Sequence, residues 1–252
     1  MKKEQIINRL DPRFFSGICH RGYHNRKDIE NGPRAFQNAI DNDMAFELDV
    51  HLTTDNRLIV VHDSELERVT GKKGTVEEMS VKEIQENYPL LDGETIPTLQ
   101  KVLDMNQEKV PMVIELKVYR KNYKPLAKRL LEELSGVKDR SRFMLISFDP
   151  RALLPFEDSG FIRQLLVAHD GKHEYVYAFR HLFEGVDLDW KFLLEDKYRK
   201  YAKKHIVNVW TIENEEQMKE VLPYCDTITF QYLEASLVKA SLEDGRKPFK
   251  KA

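Results

Sequence analysis

Two strand-like segments of the chain carry charge where a buried strand should not. Ala45–Leu52 reads AFELDVHL, with Phe46, Leu48, Val50 and Leu52 alternating against Glu47, Asp49 and His51. Met112–Val118 repeats the pattern, with Val113, Glu115 and Lys117 opposite Met112, Ile114, Leu116 and Val118. Successive side chains of a strand point to opposite faces, and a parallel strand covered on both sides rarely tolerates polar ones. Glu47, Asp49 and Glu115 therefore converge on one interior. Two carboxylates about 4 Å apart repel by roughly 4 kcal/mol at an effective dielectric near 20. Three of them must either hold protons or surround a cation, and an all-oxygen set suits a hard divalent ion, Mg²⁺ or Ca²⁺. The plain alternative is a salt-bridge network with Lys117.

Two histidines extend this pattern. His20 ends the run Gly17–His20 and His62 ends Leu58–His62. Imidazoles flanking a carboxylate cluster suit a general acid and base near neutral pH, although a single strand-end histidine is commonly structural. Arg21 and Lys117 add positive charge suited to a phosphate, or to compensating the same carboxylates. The remaining histidines (His24, His51, His169, His173, His181 and His205) show no HExxH spacing, and no HxH follows the first strand, which disfavours an imidazole-held zinc. Ser16 and Ser147 lack a GxSxG context, and no GxGxxG or GxxxxGK[ST] follows a strand.

The elements that must position these residues are short and alternate. Strand candidates are Gly17–His20, Ala45–Leu52, Leu58–His62, Met112–Val118, Phe143–Ser147, Arg163–Ala168, Val207–Thr211 and Thr227–Phe230. Helical patterns cover Pro33–Asp41, Val81–Asn87, Leu99–Asn106, Tyr123–Leu134, Arg151–Glu157, Tyr175–Phe183, Leu193–Lys204 and Glu215–Leu222. In the fourth of these, Leu126, Leu130 and Leu134 form one apolar stripe. Eight alternations over 252 residues fit a (β/α)₈ barrel of one domain, residues 1–252, ahead of an open doubly wound sheet. Barrel sites lie at the carboxyl ends of strands, where both histidines fall. The irregular stretch 64–97, with Gly71, Gly74 and Asp92-Gly93, reads as a small insertion over one end.

Composition sets bounds on the function. Forty Lys+Arg against 42 Asp+Glu leave a net charge of −2, which argues against a nucleic-acid binder built on a basic field. No stretch nears about 18 consecutive apolar residues, and the N-terminus MKKEQIINRLDPRFF lacks the apolar core of a secretion signal. The expectation is a cytoplasmic protein without membrane insertion, with Cys19 and Cys225 as buried free thiols.

From about Ile18 to Phe230 the sequence resembles the glycerophosphodiester phosphodiesterase family. The matching runs include His20-Arg21-Gly22, Glu30-Asn31, Glu47-Leu48-Asp49-Val50, His62-Asp63, Arg68-Val69-Thr70, Ile96-Pro97-Thr98-Leu99, Glu115-Leu116-Lys117, Ser147-Phe148-Asp149-Pro150 and Val209-Trp210-Thr211. The resemblance implies a barrel with an insertion after an early strand and metal-dependent cleavage of a small glycerophosphodiester to sn-glycerol 3-phosphate and an alcohol. It gives His20 and His62 as the acid/base pair, Glu47, Asp49 and Glu115 as ligands of Mg²⁺ or Ca²⁺, and Arg21 and Lys117 as phosphate contacts. Trp210 and Phe148 line the glycerol pocket or pack the barrel. Two departures stand out: Gly32 follows Glu30-Asn31 in place of Ser or Thr, and Gln231-Tyr232 replaces an Asp after the last strand. A lysophospholipase-D-like enzyme would use the same residues behind an exposed apolar rim, whereas a phosphate-binding module would need no histidine pair. Nothing in the sequence sets the oligomeric state.

Overall fold

Parallel strands need crossovers of a dozen or more residues, and the spacing of the apolar runs supplies them. The computed structural model describes residues 2–24, 28–171 and 174–245. His173 and the last seven residues lie outside it. Nine strands form one sheet: β1 (Ile18–Cys19), β2 (Ala45–Leu52), β3 (Leu58–Val60), β4 (Met112–Leu116), β5 (Phe143–Ser147), β6 (Ile162–Val167), β7 (Gly185–Asp189), β8 (Ile206–Ile212) and β9 (Thr227–Phe230). All but β3 pair in parallel in the order β1-β9-β8-β7-β6-β5-β4-β2, and β1 pairs with β2 to close the ring. The result is the expected (β/α)₈ barrel.

One expected strand lies outside the ring. Leu58–His62 is not a barrel strand: β3 runs antiparallel to β2, pairing Val60 with Val50 and Leu58 with Leu52. The eighth barrel strand is β7, which the sequence hides. Its GVDLD offers only two apolar side chains, and Asp187 points into the barrel where a periodicity argument expects a hydrophobe. The hairpin of β2 and β3 rises beyond the rim, and its return leg carries His62 back toward Asp49, whose carbonyl accepts from Val61 N at 3.1 Å.

Helices α1 (Lys3–Ile7), α2 (Pro33–Asp41), α3 (Glu67–Thr70), α4 (Val81–Asn87), α5 (Leu99–Asn106), α6 (Tyr123–Glu133), α7 (Pro150–Leu153), α8 (Asp196–Ala202), α9 (Glu215–Val221) and α10 (Ala235–Gly245) complete the described fold. Expected helices 151–157, 175–183 and 193–204 are partly or wholly 3₁₀ turns. Pro155 lies in the first of these and removes a backbone donor there. Three apolar clusters divide the interior. The largest lies between ring and helices and holds the outward faces of the strands, such as Phe46, Leu48, Ile114 and Leu116. The second fills the amino-terminal half of the lumen, where Ile18, Ala45, Val113 and Ile162 meet Ile6, Leu10, Phe14 and Phe15 from the N-terminal segment. That segment plugs the barrel floor, and Thr227 Oγ1 donates to the Phe14 carbonyl at 2.6 Å. The third cluster belongs to the segment between β3 and α5, with Leu66, Val76, Ile84 and Ile96 packed on Ile59 and Val61.

Gly32 opens α2 without a side-chain cap. The missing acceptor is replaced from the insertion: Glu94 Oε2 accepts from Arg34 N at 3.2 Å, an anion at a helix N-terminus. Cys19 is buried and Cys225 half-buried; both are free thiols.

Candidate active site

The register of β2 and β4 sets Asp49 directly across from Glu115, with Glu47 two residues earlier on the same inward face. The alternation of the sequence thus becomes a cluster. Oxygen atoms of Glu47, Asp49 and Glu115 all lie within 4.8 Å of one another, and all three residues are buried. Their environment separates them. Burial, aided by the charges of Asp49 and Glu115, holds the Glu47 carboxyl well above its usual range. Burial likewise pushes Glu115 up to about 7, against the pull of Lys117. Burial acts on Asp49 too, but Lys117 and Arg21 overcome it and keep Asp49 ionised.

Two cations close on this cluster. Lys117 Nζ lies 3.0 Å from Glu115 and 3.4 Å from Asp49, and these anions outweigh its burial to raise its pKa. Arg21 Nε lies 3.5 Å from Asp49 Oδ2, and its backbone N–H donates to Glu47 Oε2 at 2.9 Å. Arg21 adopts a left-handed conformation (φ 54°), which aims both its N–H and its guanidinium at the carboxylates. A salt-bridge network and an ion site therefore occupy the same atoms. Asp49 Oδ1 is buried and accepts no hydrogen bond; Lys117 Nζ, 3.4 Å away, is the cation it meets, and the oxygen could also ligate a metal ion. The three-carboxylate donor set fits a hard divalent ion.

Both histidines keep a defined ring orientation. His20 Nδ1 stands 2.8 Å from Gln231 Oε1, while Gln231 Nε2 donates to Glu213 Oε1 at 2.5 Å. A carboxylate only accepts, so the amide must turn its oxygen to His20, and His20 donates from Nδ1 and keeps a lone pair on Nε2. Burial and the charge of Arg21 pull its pKa down to about 3. His62 Nδ1 donates to Asp63 Oδ1 at 2.7 Å. Burial also lowers the His62 pKa, but Asp49 and Asp63 oppose it. Asp63 continues through Arg68 Nε (2.6 Å) to Glu30, which Arg68 and Arg21 share. A chain of alternating charges thus joins the loop after β1 to the loop after β3.

His51, expected on the lumen face, does not join the carboxylates. It donates from Nε2 to the His62 carbonyl at 3.0 Å and meets Glu77 Oε1 at 2.5 Å through Nδ1, fastening the hairpin to the insertion. Phe148 and Trp210 meet edge to face at 5.7 Å and both pack on the lumen cluster, while Trp210 Nε1 donates to the Asp187 carbonyl at 3.1 Å. Phe148 also lines the mouth cavity with His62, Glu115 and Lys117. Sequence reasoning gave no part to Asn31, whose Nδ2 donates to Asp49 Oδ2 at 2.9 Å. Its signal was local: an Asn before Gly-Pro suits a left-handed turn, and Asn31 has φ 57°. Arg68 stands in the sequence only within a family-like run and Gln231 only as a departure from it; their contacts with Glu30 and His20, 38 and 211 residues away, leave no local pattern. A further polar layer of Gln164, Asp187 and Asn208 crosses the lumen, all buried, with burial pushing Asp187 up to about 8.

Known proteins resemble the chain in sequence and in fold. The sequence model of the glycerophosphoryl diester phosphodiesterase family matches residues 20–225. A glycerophosphodiester phosphodiesterase of Bacillus altitudinis is 31% identical over 150 residues, 55% of this chain and 60% of that one. A lysophospholipase D of Mus musculus is 34% identical over 148 residues, 53% of this chain and 45% of that one. The matches thus span about half the length of these curated relatives. A phosphodiesterase of Oleispira antarctica, solved in complex with the product sn-glycerol-3-phosphate, superposes with a TM-score of 0.75 at 20% identity, covering 90% of this chain and 96% of that one; at this identity it shows a shared fold. The matched stretch opens at His20 and runs through every carboxylate and cation of the barrel mouth, and on that extent the chain belongs to the glycerophosphoryl diester phosphodiesterase family.

Proposed function

We propose that the protein hydrolyses glycerophosphodiesters to sn-glycerol 3-phosphate and an alcohol, with a divalent cation, Mg²⁺ or Ca²⁺, held by Glu47, Asp49 and Glu115. The observation that carries this reading is the buried triad itself, three carboxylates within 4.8 Å of which one oxygen, Asp49 Oδ1, accepts no hydrogen bond. A hard cation at that position supplies positive charge against the developing charge on the phosphoryl oxygens. Lys117 and Arg21 stand beside the triad and can exchange part of their pairing with Glu115, Asp49 and Glu30 for the phosphate.

The histidines divide the proton work. His20 is neutral at pH 7, with Nδ1–H fixed by Gln231, so its Nε2 takes the proton of the attacking group, either water itself or the neighbouring glycerol hydroxyl, whose cyclic phosphate water then opens. His62, beside the Asp63 carboxylate, is the better proton holder and delivers a proton to the leaving alkoxide. Phe148 borders the glycerol moiety from the cavity wall. Family relatives named as glycerophosphodiester phosphodiesterases support the substrate class.

Turnover of glycerophosphoethanolamine, titrated with Mg²⁺ or Ca²⁺ after EDTA treatment, tests the reading. Activity should vanish in EDTA and return with either ion. His20→Ala should lose about 10²–10⁴ in kcat, the usual contribution of a positioned acid or base. Full turnover in EDTA, or an unimpaired His20→Ala enzyme, overturns the mechanism. No turnover with any added ion favours a phosphate-binding module.

A further inference from the structure

We propose that Arg68 is a positioning residue that serves two working groups from one guanidinium: through Asp63 it holds the His62 ring, and through Glu30 it lets Arg21 turn to the phosphate. This rests on the hydrolytic reading above and extends it to a side chain outside the carboxylate triad and the histidine pair. Arg68 belongs to the insertion and projects from the one-turn helix α3. Its neighbours Leu66 and Val69 are buried in the insertion's own core, and Thr70 Oγ1 donates to the Leu66 carbonyl at 2.8 Å. The backbone that carries Arg68 is therefore fixed, while the side chain itself stays 48% exposed.

One fork is used in two directions. Nε donates to Asp63 Oδ2 at 2.6 Å; Nη1 and Nη2 donate to Glu30 Oε2 and Oε1 at 2.9 and 2.7 Å. A guanidinium offers such N–H groups at fixed angles, which the point charge of an ammonium does not. Glu30 lies in the loop after β1 and Asp63 in the loop after β3, 38 and 5 residues from Arg68. Isolated surface ion pairs contribute little, whereas a bidentate pair within a network of charges is the case that does.

Each carboxylate hands the contact on. Asp63 gives Oδ2 to Arg68 and Oδ1 to His62 Nδ1, 2.7 Å away, so clamping one oxygen stops the carboxylate, and the ring with it, from turning. Glu30 Oε1 accepts from Arg21 Nη1 at 2.7 Å as well as from Arg68 Nη2. Burial would raise the Glu30 carboxyl, but Arg68 and Arg21 hold it down at about 2, so it is a full anion at neutral pH. With Arg21 as its sole cation, this 17% exposed carboxylate would be stranded whenever Arg21 turned to a phosphate, and stranding a largely buried charge is costly. The two-pronged contact of Arg68 keeps Glu30 compensated through that exchange.

Turnover of glycerophosphoethanolamine and calorimetric binding of sn-glycerol 3-phosphate, both with Mg²⁺, read the two arms separately. Arg68→Met should lower kcat by about 10²-fold, the scale of a misplaced reacting group. It should weaken sn-glycerol 3-phosphate binding about tenfold, the scale of coupling between residues that share a partner. In an Asp63→Asn background the kcat loss should disappear, and in a Glu30→Gln background the binding loss should disappear, because each background has already lost the arm concerned. Arg68→Lys keeps the charge but not the fork, so it should restore one of the two at most; it carries the test if Arg68→Met does not fold. Losses that persist in full in both backgrounds would show Arg68 to support only the fold of the insertion. Wild-type values in Arg68→Lys would show charge alone to suffice, and wild-type values in Arg68→Met would show no role. Any of these three results overturns the proposal. An inactive wild-type protein removes the hydrolytic reading and this proposal together, whereas an active wild type with one of those results removes this proposal alone.

Discussion

At the scale of single residues, the site without its cation is a set of charges in conflict, and that conflict can be read in stability. The Glu115 carboxyl is pushed up to about 7 from an ordinary 4.5, so between those values the folded protein binds more protons than the unfolded chain. Stability must fall as pH rises through that window. His20 has the opposite sign: its pKa is pulled down to about 3 from 6.5, and its contribution is lost as pH falls below 6.5. Denaturant midpoints in EDTA should therefore rise to a plateau between about pH 4.5 and 6.5 and drop as pH passes from 6.5 to about 7, with Glu115→Gln abolishing the drop and saturating Mg²⁺ reversing it. Lys117→Met should cost the EDTA-treated protein about 3–5 kcal/mol, since it leaves Asp49 and Glu115 without their nearer cation. The convergence of Glu47, Asp49, Glu115 and Lys117 was legible because alternation within a strand is a strong constraint, whereas His20, Arg21 and His62 were read from their places at strand ends. The hydrogen bonds of Asn31, Gln231 and Arg68 were not, because a contact between loops leaves no periodic trace.

At the scale of elements, the segment between β3 and α5 governs how firmly His62 is held. His51, Glu77 and Arg68 tie that segment to the hairpin and to Glu30, and its own small core carries it. Ile84→Ala, a fully buried site in that core, should cost about 2–5 kcal/mol locally. Hydrogen exchange should show residues 64–97 opening before the barrel strands, with kcat falling as His62 loosens. An Ile84→Ala protein with unchanged exchange in that stretch would show the insertion to be carried by the ring instead. The irregularity of 64–97 was visible in its glycines and prolines. The direction of β3 was not: the four apolar residues Leu58–Val61 read alike in either orientation, and only the short turn at Asp55-Asn56 hinted at a hairpin. The polar residues of β7 concealed a genuine strand for the same reason that those of β2 revealed a site.

For the whole molecule, the barrel separates holding from reacting. The floor is closed by Phe14, Phe15, Ile6 and Leu10, and the charges stand at the opposite rim. Phe14→Ala should cost about 3–5 kcal/mol in a urea titration yet leave kcat within about twofold, because it opens a cavity at the far end. A large drop in kcat at unchanged stability would contradict that separation. One feature links the ring to its insertion more tightly than chain connectivity does. Helix α2 begins at a glycine that cannot cap it, and Glu94 lends the anion from outside. A chimera that swaps in a foreign insertion lacking such a carboxylate would thus fray a ring helix it never touches in sequence, so the two pieces can be exchanged between relatives only as a matched set.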